Sequence, residues 1–336
     1  MTTKYPEIPK KTFADYGQML HGFWPNKPTF TEKDYPEFEG KVIIVTGGNT
    51  GVGYETVKSL AGSTKAKIYI FSRNEEKTLK AIKDIELEVA KEYKLKPNPI
   101  GFIQTDLSDL TTIKPAVEKF LNKESRLDLI IHNAGVMTPP TGSKSKQGYE
   151  LQLGTNVLGP FLLQRLLDPI FIKTAKTNPP GVSRIVWVAS TAHQVAPKGG
   201  IFWEDKNFEN IPISSTIRMQ IYGQSKAADI LLAKAWTRHH PNVKDDVIST
   251  SVCPGYLKTE LSRHSSWFES FILNRVTWPR RFGAYTELYA AFSPDVKDGD
   301  YSISFGVPAH TREDLNSVES GDKLWNWCEK ETDPYV

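Results

Sequence analysis

Cysteine is scarce in this chain of 336 residues, in which Cys253 and Cys328 are the two present. Two cysteines provide neither a disulfide framework nor the paired spacing of a zinc site. The seven histidines are scattered, and no two of them stand four residues apart as in a His-x-x-x-His pair. The sequence therefore predicts no metal site, and it argues against the disulfide-rich secreted proteins and the zinc-binding proteins.

Neither charge nor apolar sequence is concentrated in one part of the chain. Lys and Arg number 42 against 39 Asp and Glu, which gives a net charge of +3. This balance is too even to predict a nucleic-acid partner. No stretch approaches the roughly 18 consecutive apolar residues of a membrane span, and the first ten residues lack the apolar core of a secretory signal. The cytosol is therefore the expected compartment.

The pattern of residues divides the chain into three parts. Proline and aromatic residues dominate 1–38, which suggests an extended N-terminal arm laid over the protein. From Gly40 onwards, short β-branched runs alternate with segments of helical length. The alternation predicts an α/β domain at 39–310, a single doubly wound Rossmann-type parallel sheet with helices on both faces, followed by a C-terminal tail at 311–336. Strands are predicted at 41–46, 66–71, 100–104, 127–132, 182–189 and 247–252, and helices at 51–60, 74–93, 152–173 (with a kink at Gly159 and Pro160) and 220–238.

A glycine-rich turn stands between the first predicted strand and the first predicted helix. It reads TGGNTGVG at 46–53, with glycines spaced Gly-x-x-x-Gly-x-Gly. Glycines let the backbone turn sharply and approach a pyrophosphate, while the N–H groups at the start of the helix point at it. The turn therefore predicts a dinucleotide site, with a purely steric use of glycine as the alternative. The residues expected at the cofactor are Gly47, Asn49, Thr50, Gly51, Val52 and Gly53.

The residues after the second predicted strand bear on which dinucleotide binds. A site for NAD usually places an acid here to bind the ribose hydroxyls, whereas an arginine suits the 2′-phosphate of NADP. This chain has Ser72 and Arg73 at the position and no carboxylate. The pattern favours NADP(H) as the cofactor, with an ordinary surface arginine as the alternative.

Tyr222 and Lys226 are four residues apart in a predicted helix, so both side chains lie on one face and within reach of each other. The pKa of tyrosine is ordinarily about 10, which is poorly matched to proton transfer at neutral pH. An ammonium about 4 Å from the phenol, in a medium of effective dielectric ~20, is expected to bring that pKa close to neutrality. The pair therefore predicts an acid–base centre, although the same spacing also occurs on ordinary helix faces.

These features belong to a series of motifs in a fixed order. TGGNTGVG at 46–53 is followed by HNAG at 132–135, TNVLGPF at 155–161, VWVAST at 186–191, YGQSK at 222–226 and CPGYLKTE at 253–260. Together they resemble the short-chain dehydrogenase/reductase family, over a range from about Gly40 to Ala291. In detail the chain is similar to retinol-dehydrogenase-like members of the fungal branch, which open with a stretch such as 27–41.

The resemblance implies four catalytic residues. Ser190 would donate a hydrogen bond to the substrate oxygen, and Tyr222 would be the general acid in reduction or the general base in oxidation. Lys226 would lower the pKa of the tyrosine and bind the nicotinamide ribose. Asn156 would hold a water in a proton relay, with a cap at the helix kink as its alternative role. The implied reaction interconverts a carbonyl and an alcohol on a small molecule.

The resemblance also implies further contacts with the cofactor. Asp106 and Leu107 would lie near the adenine, with a helix cap as the alternative role of Asp106. The turn after the fourth strand would pass the adenosine ribose, and the segment after the sixth strand would line the nicotinamide carboxamide. The residues in these two places are Asn133, Ala134 and Gly135 in the turn, and Pro254, Gly255 and Thr259 in the segment.

Two departures from the family pattern concern the region around Ser190. Ala189 stands where relatives often have a first serine, while the second, Ser190, is retained. Tyr222 follows Ser190 by 32 positions, more than in the simplest members, and the insertion at 199–215 is expected to border the entrance to the substrate site. An NAD-preferring alcohol dehydrogenase and a non-catalytic dinucleotide-sensing protein are the alternatives to an NADP-dependent enzyme.

The segment 259–291 corresponds to the lid over the substrate in this family. Its apolar residues, among them Trp267 and Phe271, favour a lipophilic substrate, with packing onto the sheet as the alternative. Arg280 and Arg281 follow them directly, which raises the further hypothesis of peripheral contact with a membrane or lipid droplet. The resemblance leaves the assembly open between a monomer and a homodimer formed through the helices of Asn156 and Tyr222.

Overall fold

A mostly parallel sheet forms the centre of the protein in a computed structural model, which describes residues 5–257 and 277–336. The strands of these described residues lie in the order β3-β2-β1-β4-β5-β6-β7-β8, with β8 antiparallel to β7 and the other neighbours parallel. Their bounds are β1 (Val42–Thr46), β2 (Lys67–Ser72), β3 (Ile100–Gln104), β4 (Leu129–His132), β5 (Ser183–Val188), β6 (Val247–Val252), β7 (Tyr301–Ile303) and β8 (Val307–Ala309). The predicted doubly wound Rossmann-type sheet is confirmed, and β7 and β8 extend it beyond the six strands predicted.

Helices cover both faces of this sheet. A π-helical turn, Gly154–Leu158, joins α5 to α6 directly before Gly159 and Pro160. One core contains side chains of α4, α6, α7 and α9, and the other contains side chains of α2, α3 and α8. The bounds are α1 (Phe13–His21), α2 (Gly51–Ser63), α3 (Glu75–Glu92), α4 (Ile113–Leu121), α5 (Leu151–Leu153), α6 (Gly159–Ala175), α7 (Ser215–His239), α8 (Arg280–Phe292) and α9 (Val318–Thr332).

The central strands are apolar on both sides because both of their faces are covered. In β1, Val42 and Ile44 belong to one core, whereas Ile43 and Val45 belong to the other. All five residues of this strand are buried. The unbroken β-branched run therefore predicts the strand correctly, and β1 places the glycine-rich turn at the carboxyl edge of the sheet.

The two ends of the chain differ from the sequence-based expectation. The arm at 1–38 is not extended throughout, because α1 lies within it, started by a capping box of Thr12 and Asp15. The segment 311–336 is not a separate tail, since Leu324 and Cys328 of α9 are buried in the same core as side chains of α4, α6 and α7. Across 5–257 and 277–336, no helix is both long enough and apolar enough to cross a membrane.

Candidate active site

The connection from β1 to α2 is the glycine-rich turn at 46–53. Gly47 has a φ of +66°, and its N–H donates to the carbonyl of Phe71 at 2.8 Å, which fixes the turn to the end of β2. A Cβ on Gly53 would lie 2.4 Å from Asn133 Nδ2 and 2.7 Å from the carbonyl oxygen of Gly47. Gly53 is therefore required by packing. The methyl groups of Val52 lie against Gly283 of α8.

The start of α2 fits the pyrophosphate of a dinucleotide. In the structure as described, the side chain of Thr50 caps no N–H of this helix, and the first turn has no acidic residue. Gly51 has a φ of +65°, and a Cβ placed on it would meet no other atom within 4 Å. Uncapped N–H groups at the positive end of a helix attract an anion. Asn49, between these glycines, is partly exposed at the same edge.

Arg73 and Asp106 lie side by side beyond the ends of β2 and β3. The Arg73 side chain is 74% exposed, and its Nη1 is 3.7 Å from Asp106 Oδ2. The other carboxylate oxygen of Asp106 accepts hydrogen bonds from the N–H and the hydroxyl of Ser108, so Asp106 closes a local turn, whereas the cap of the helical turn that follows is Asp109. By contrast, Ser72 is buried and its hydroxyl is hydrogen bonded to that of Thr78. Leu107 is 6% exposed and belongs to the core that contains α4, α6, α7 and α9.

The turn after β4 is tied to the end of β1. Asn133 Nδ2 donates to the carbonyl of Thr46 at 2.8 Å, and the N–H of Ala134 donates to Thr46 Oγ1 at 2.9 Å. Gly135 follows as an exposed residue next to the catalytic candidates, since a Cβ on it would lie 3.2 Å from Asn156 Oδ1 and 3.6 Å from Lys226 Nζ.

The segment after β6 is described in part. Pro254 and Gly255 are partly exposed, and Gly255 has a φ of +100° with no room for a Cβ, which would lie 2.2 Å from Ser304 Oγ. Thr259 lies outside the described residues, as do Trp267 and Phe271 of the predicted lid.

Asn156 joins three parts of the site from its place in the π-helical turn. Its Oδ1 accepts from the N–H of Val136 at 2.8 Å. Its Nδ2 donates to the carbonyl of Val136 at 2.9 Å and to Ser225 Oγ at 3.0 Å. Asn156 is 2% exposed. It therefore holds the turn after β4 against α7, which a cap at a helix kink would not do.

Ser190, Tyr222 and Lys226 come together although they lie on two elements. Ser190 follows β5, and its side chain lies close enough to Tyr222 on α7 to lower the pKa of the phenol, against the larger effect of burial. Lys226 Nζ lies 5.9 Å from the centre of the Tyr222 ring. The sequence order thus predicts residues that meet in space at the carboxyl edge of the sheet, where ligands bind in folds of this kind.

The electrostatics of Tyr222 differ from the prediction. Burial raises the pKa of Tyr222, and the opposing effects of the Lys226 charge and the Ser190 hydrogen bond do not overcome it. The prediction that Lys226 brings this pKa close to neutrality is therefore wrong. The main physical reason is desolvation of the phenol; the Cys253 thiol and then the carboxylate of Asp229, which lies 2.9 Å from Lys226 Nζ, raise the pKa of Tyr222 further. Tyr222 is a neutral phenol at neutral pH.

Several residues of the site were not predicted. Asp229 stands in the run AADILLA, where an acid on an otherwise apolar helix face is the signal that could have indicated it. Tyr256 and Thr191 have hydroxyls 3.4 Å apart, and the N–H of Thr191 donates to Cys253 Sγ at 3.3 Å.

The insertion at 199–215 supplies part of a small apolar cluster. Phe208, Ile211 and Ile213 of the insertion pack with Ile217 and Ile221 of α7, directly before Tyr222. Four of these side chains also line a cavity of about 270 Å³, and Arg218 is among its other lining residues.

Known proteins resemble this chain over most of its length. Residues 41–202 match the family model described as short chain dehydrogenase. A short-chain dehydrogenase/reductase of Phomopsis amygdali is 37% identical, over 93% of this chain and 96% of its own length. Another, from Armillaria gallica, is 34% identical over 94% and 98%. An uncharacterised oxidoreductase of Schizosaccharomyces pombe is 40% identical over 81% and 78%.

Solved structures show the same fold. An uncharacterised protein from Mycobacterium paratuberculosis has a TM-score of 0.69 and 26% identity, covering 90% of this chain and 97% of its own. A short chain dehydrogenase from Shigella flexneri complexed with NADP has a TM-score of 0.56 and 18% identity, covering 82% and 98%. The extent of the similarity to the curated relatives decides the family. The chain belongs to the short-chain dehydrogenase/reductase family of oxidoreductases, which bind a nicotinamide dinucleotide and act on small molecules.

Proposed function

We propose that the protein is an NADP(H)-dependent oxidoreductase that interconverts a carbonyl and an alcohol on a lipophilic small molecule. The observation that carries the proposal is the meeting of Ser190, Tyr222 and Lys226 at the carboxyl edge of the sheet, beside a helix start that fits a pyrophosphate. A side chain with a dissociable proton, a donor beside it and a cation behind it are the groups that carbonyl reduction requires.

Each of these side chains has a distinct task in carbonyl reduction. The Ser190 hydroxyl donates to the substrate oxygen and polarises the carbonyl. Tyr222 donates its phenolic proton to the same oxygen, and burial keeps that proton in place at neutral pH by raising the pKa of Tyr222. Lys226 then stabilises the phenolate. A bound nicotinamide dinucleotide would supply the hydride. In the oxidation of an alcohol, the same groups act in reverse.

The binding of NADP(H) is assigned to two places. Gly47, Gly51 and the N-terminus of α2 would hold the pyrophosphate. Arg73 would bind the 2′-phosphate, since its guanidinium is exposed at the end of β2 and a bidentate contact with phosphate suits its geometry. Asp106 would lie beside the adenine. The NADP in the Shigella flexneri protein shows that this fold accepts the phosphorylated cofactor.

The preference for a lipophilic substrate rests on aromatic side chains of the arm, of the segment after β6 and of the described part of the predicted lid. Tyr256 lies against Thr191, the residue after Ser190, and its ring stacks on Phe23 of the arm. Trp278 and Phe282, in the described part of the predicted lid, pack together with ring centroids 5.6 Å apart. Apolar and aromatic walls with few polar groups are typical of sites for small apolar ligands.

Two properties of the assembly stay predictions. Peripheral contact with a membrane or lipid droplet depends on Trp267 and Phe271, which lie outside the described residues; flotation with anionic liposomes, comparing the unmutated chain with Trp267→Ser/Phe271→Ser, tests it. A homodimer formed through the helices of Asn156 and Tyr222 is tested by the molar mass in solution.

The proposed activity is tested with purified protein and a panel of aldehydes, ketones and lipid-derived carbonyls, followed by NADPH absorbance. We expect turnover that is faster with apolar substrates and more efficient with NADPH than with NADH. Tight binding of NADPH without turnover of any carbonyl or alcohol would support the dinucleotide-sensing alternative. Equal efficiency with NADH would remove the NADP preference and leave the oxidoreductase.

A further inference from the structure

Asp229 forms a buried ion pair with Lys226. Lys226 Nζ donates to Asp229 Oδ2 at 2.9 Å and to the carbonyl of Val188 at 2.7 Å. The Lys226 side chain is 7% exposed and that of Asp229 is 5% exposed. A spacing of three residues on α7 places them on one helix face. The ammonium that acts on Tyr222 therefore has a carboxylate bound to it inside the site.

Stability alone gives little reason for this arrangement. The cost of removing two charges from water roughly cancels their attraction, so a buried ion pair contributes little net free energy to folding. Burial is unfavourable enough to raise the pKa of Asp229 to about 6, although the charge of Lys226 acts in the opposite direction. The carboxylate must instead be judged by its effect on Lys226.

That effect has a geometric part. An ammonium has three N–H donors. The carbonyl of Val188 and the carboxylate of Asp229 take two of them, from directions that fix the position of Nζ. With a cofactor bound, the third would be available to the nicotinamide ribose. Burial lowers the pKa of Lys226, but Asp229, Tyr222 and Cys253 together more than offset this, with Asp229 first among them, so the pKa is raised and the ammonium form is kept.

The second part of the effect is electrostatic. The Lys226 charge lowers the pKa of Tyr222 and the Asp229 charge raises it, while burial has the largest influence. The Cys253 thiol, after the end of β6, also raises the pKa of Tyr222, and Ser190, after the end of β5, lowers it. The paired charges thus act on Tyr222 as a dipole, which is weaker than a full positive charge.

We propose that Asp229 is a positioning residue of the active site, which holds Lys226 against Val188 and offsets its charge so that Tyr222 keeps its proton. A protonated Tyr222 is the form that donates to a carbonyl oxygen, so Asp229 favours reduction. This inference rests on the proposed function, because it takes Tyr222 to be the proton donor.

The test compares the unmutated enzyme with Asp229→Asn, which keeps the shape and removes the charge, and with Asp229→Ser, which is smaller. Asp168→Asn is the matched control: Asp168 is also a buried acid, held by Gln164 and Trp236 away from the site. One readout needs no cofactor, namely the titration of Tyr222 by NMR of ¹³C-labelled tyrosine, with the signal identified by its loss in Tyr222→Phe. The other is the pH dependence of carbonyl reduction with NADPH.

In both Asp229 variants, the titration midpoint of Tyr222 and the alkaline limb of the reduction profile should move to lower pH by about one unit. This is the effect of one charge acting over roughly 8–10 Å in a buried site of effective dielectric ~20. The titration curve and the reduction profile of Asp168→Asn should coincide with those of the unmutated protein. Curves for Asp229→Asn or Asp229→Ser that overlay on those of the unmutated protein overturn the proposal. Loss of cooperative melting in both variants also overturns it, because the carboxylate is then structural.

The two readouts separate this inference from the proposed function. If the unmutated protein reduces no carbonyl with NADPH and the NMR midpoint still moves, the coupling of Asp229 to Tyr222 stands and the proposed function fails. If the enzyme is active and the midpoint does not move, the role of Asp229 fails alone.

Discussion

Phe23 stacks on Tyr256 with ring centroids 4.5 Å apart and an angle of 28° between the planes. The Tyr256 hydroxyl in turn accepts a hydrogen bond from Thr191 at 3.4 Å, next to Ser190. The carbonyl of Phe23 also accepts from Trp278 Nε1 at 3.4 Å. The arm, which precedes the Rossmann domain in sequence, thus supports a side chain that lies against the residue after Ser190.

Replacing Phe23 by alanine should therefore weaken substrate binding. An aromatic pair contributes roughly 0.5–1.5 kcal/mol beyond its buried area, so we expect KM for a bulky apolar carbonyl to rise by about 2- to 12-fold, with a smaller change in kcat. Steady-state kinetics with saturating NADPH measures both constants. Phe13→Ala is the matched control, because Phe13 lies on the same arm but is 94% exposed. Equal KM values for the two variants would show that the arm does not shape the site.

Tyr222→Phe removes the proton donor and leaves the ring in place. A positioned general acid contributes about 10²- to 10⁴-fold to a rate, so kcat for carbonyl reduction should fall by at least ~10²-fold. The affinity for NADPH, followed by the fluorescence of the bound cofactor, should change little, because the phosphate contacts lie at α2. A variant that keeps most of the activity would contradict the assignment of Tyr222.

Arg73→Ala should reduce the preference for NADPH over NADH. A charge-assisted contact between arginine and phosphate contributes about 1.5–3 kcal/mol, so we expect KM for NADPH to rise by roughly 10- to 100-fold and that for NADH to stay near its original value. Lys80→Ala is a suitable control, since Lys80 is 75% exposed on the next helix and pairs with Asp84. If both substitutions had the same small effect, the 2′-phosphate would be bound elsewhere.

The strands and the glycine turn could be predicted because their pattern is local. A short β-branched run such as 42–46 fits few structures other than a buried strand. The glycine turn that follows it predicts where the cofactor binds. β7 and β8 have three residues each, too few to show a pattern. In the arm, α1 is obscured by the proline and aromatic residues around it, although Thr12 and Asp15 form its capping box.

The site could be predicted as a set of residues but not in its electrostatics. The identities of Ser190, Tyr222 and Lys226 follow from the order of the motifs, whereas the pKa of Tyr222 depends on how completely its surroundings exclude water. The same limit applies to Asp229. An aspartate in a helix is ordinarily solvated, and its burial follows from the packing of α7 on β5 and β6.

Glu287→Gln should change how stability depends on pH. Glu287 of α8 is fully buried, and Thr56 Oγ1 of α2 donates to its Oε2 at 2.7 Å. In the described structure its Oε1 has no hydrogen-bond partner. Burial raises the pKa of Glu287 to about 8, against 4.5 as the ordinary value. The folded state therefore holds a proton that the unfolded chain loses, over the range between these two pH values.

A raised pKa of an acid stabilises the folded state at low pH, and that contribution is lost as the pH rises from 4.5 through about 8. Glutamine stays neutral over this pH range, so the variant loses no stability at this position as the pH rises. Each unit of pKa difference corresponds to about 1.4 kcal/mol, so the advantage of Glu287→Gln should grow from near zero at acid pH to on the order of a few kcal/mol at the alkaline end. In a chain of this size that is a rise in Tm of about 5–10 °C. Thermal melts across this pH range measure it, with Glu86→Gln, an exposed acid on α3, expected to follow the unmutated protein. A Tm difference for Glu287→Gln that stays constant with pH would mean that Glu287 is ionised in the folded protein, and that the α2–α8 interface contains a compensating partner.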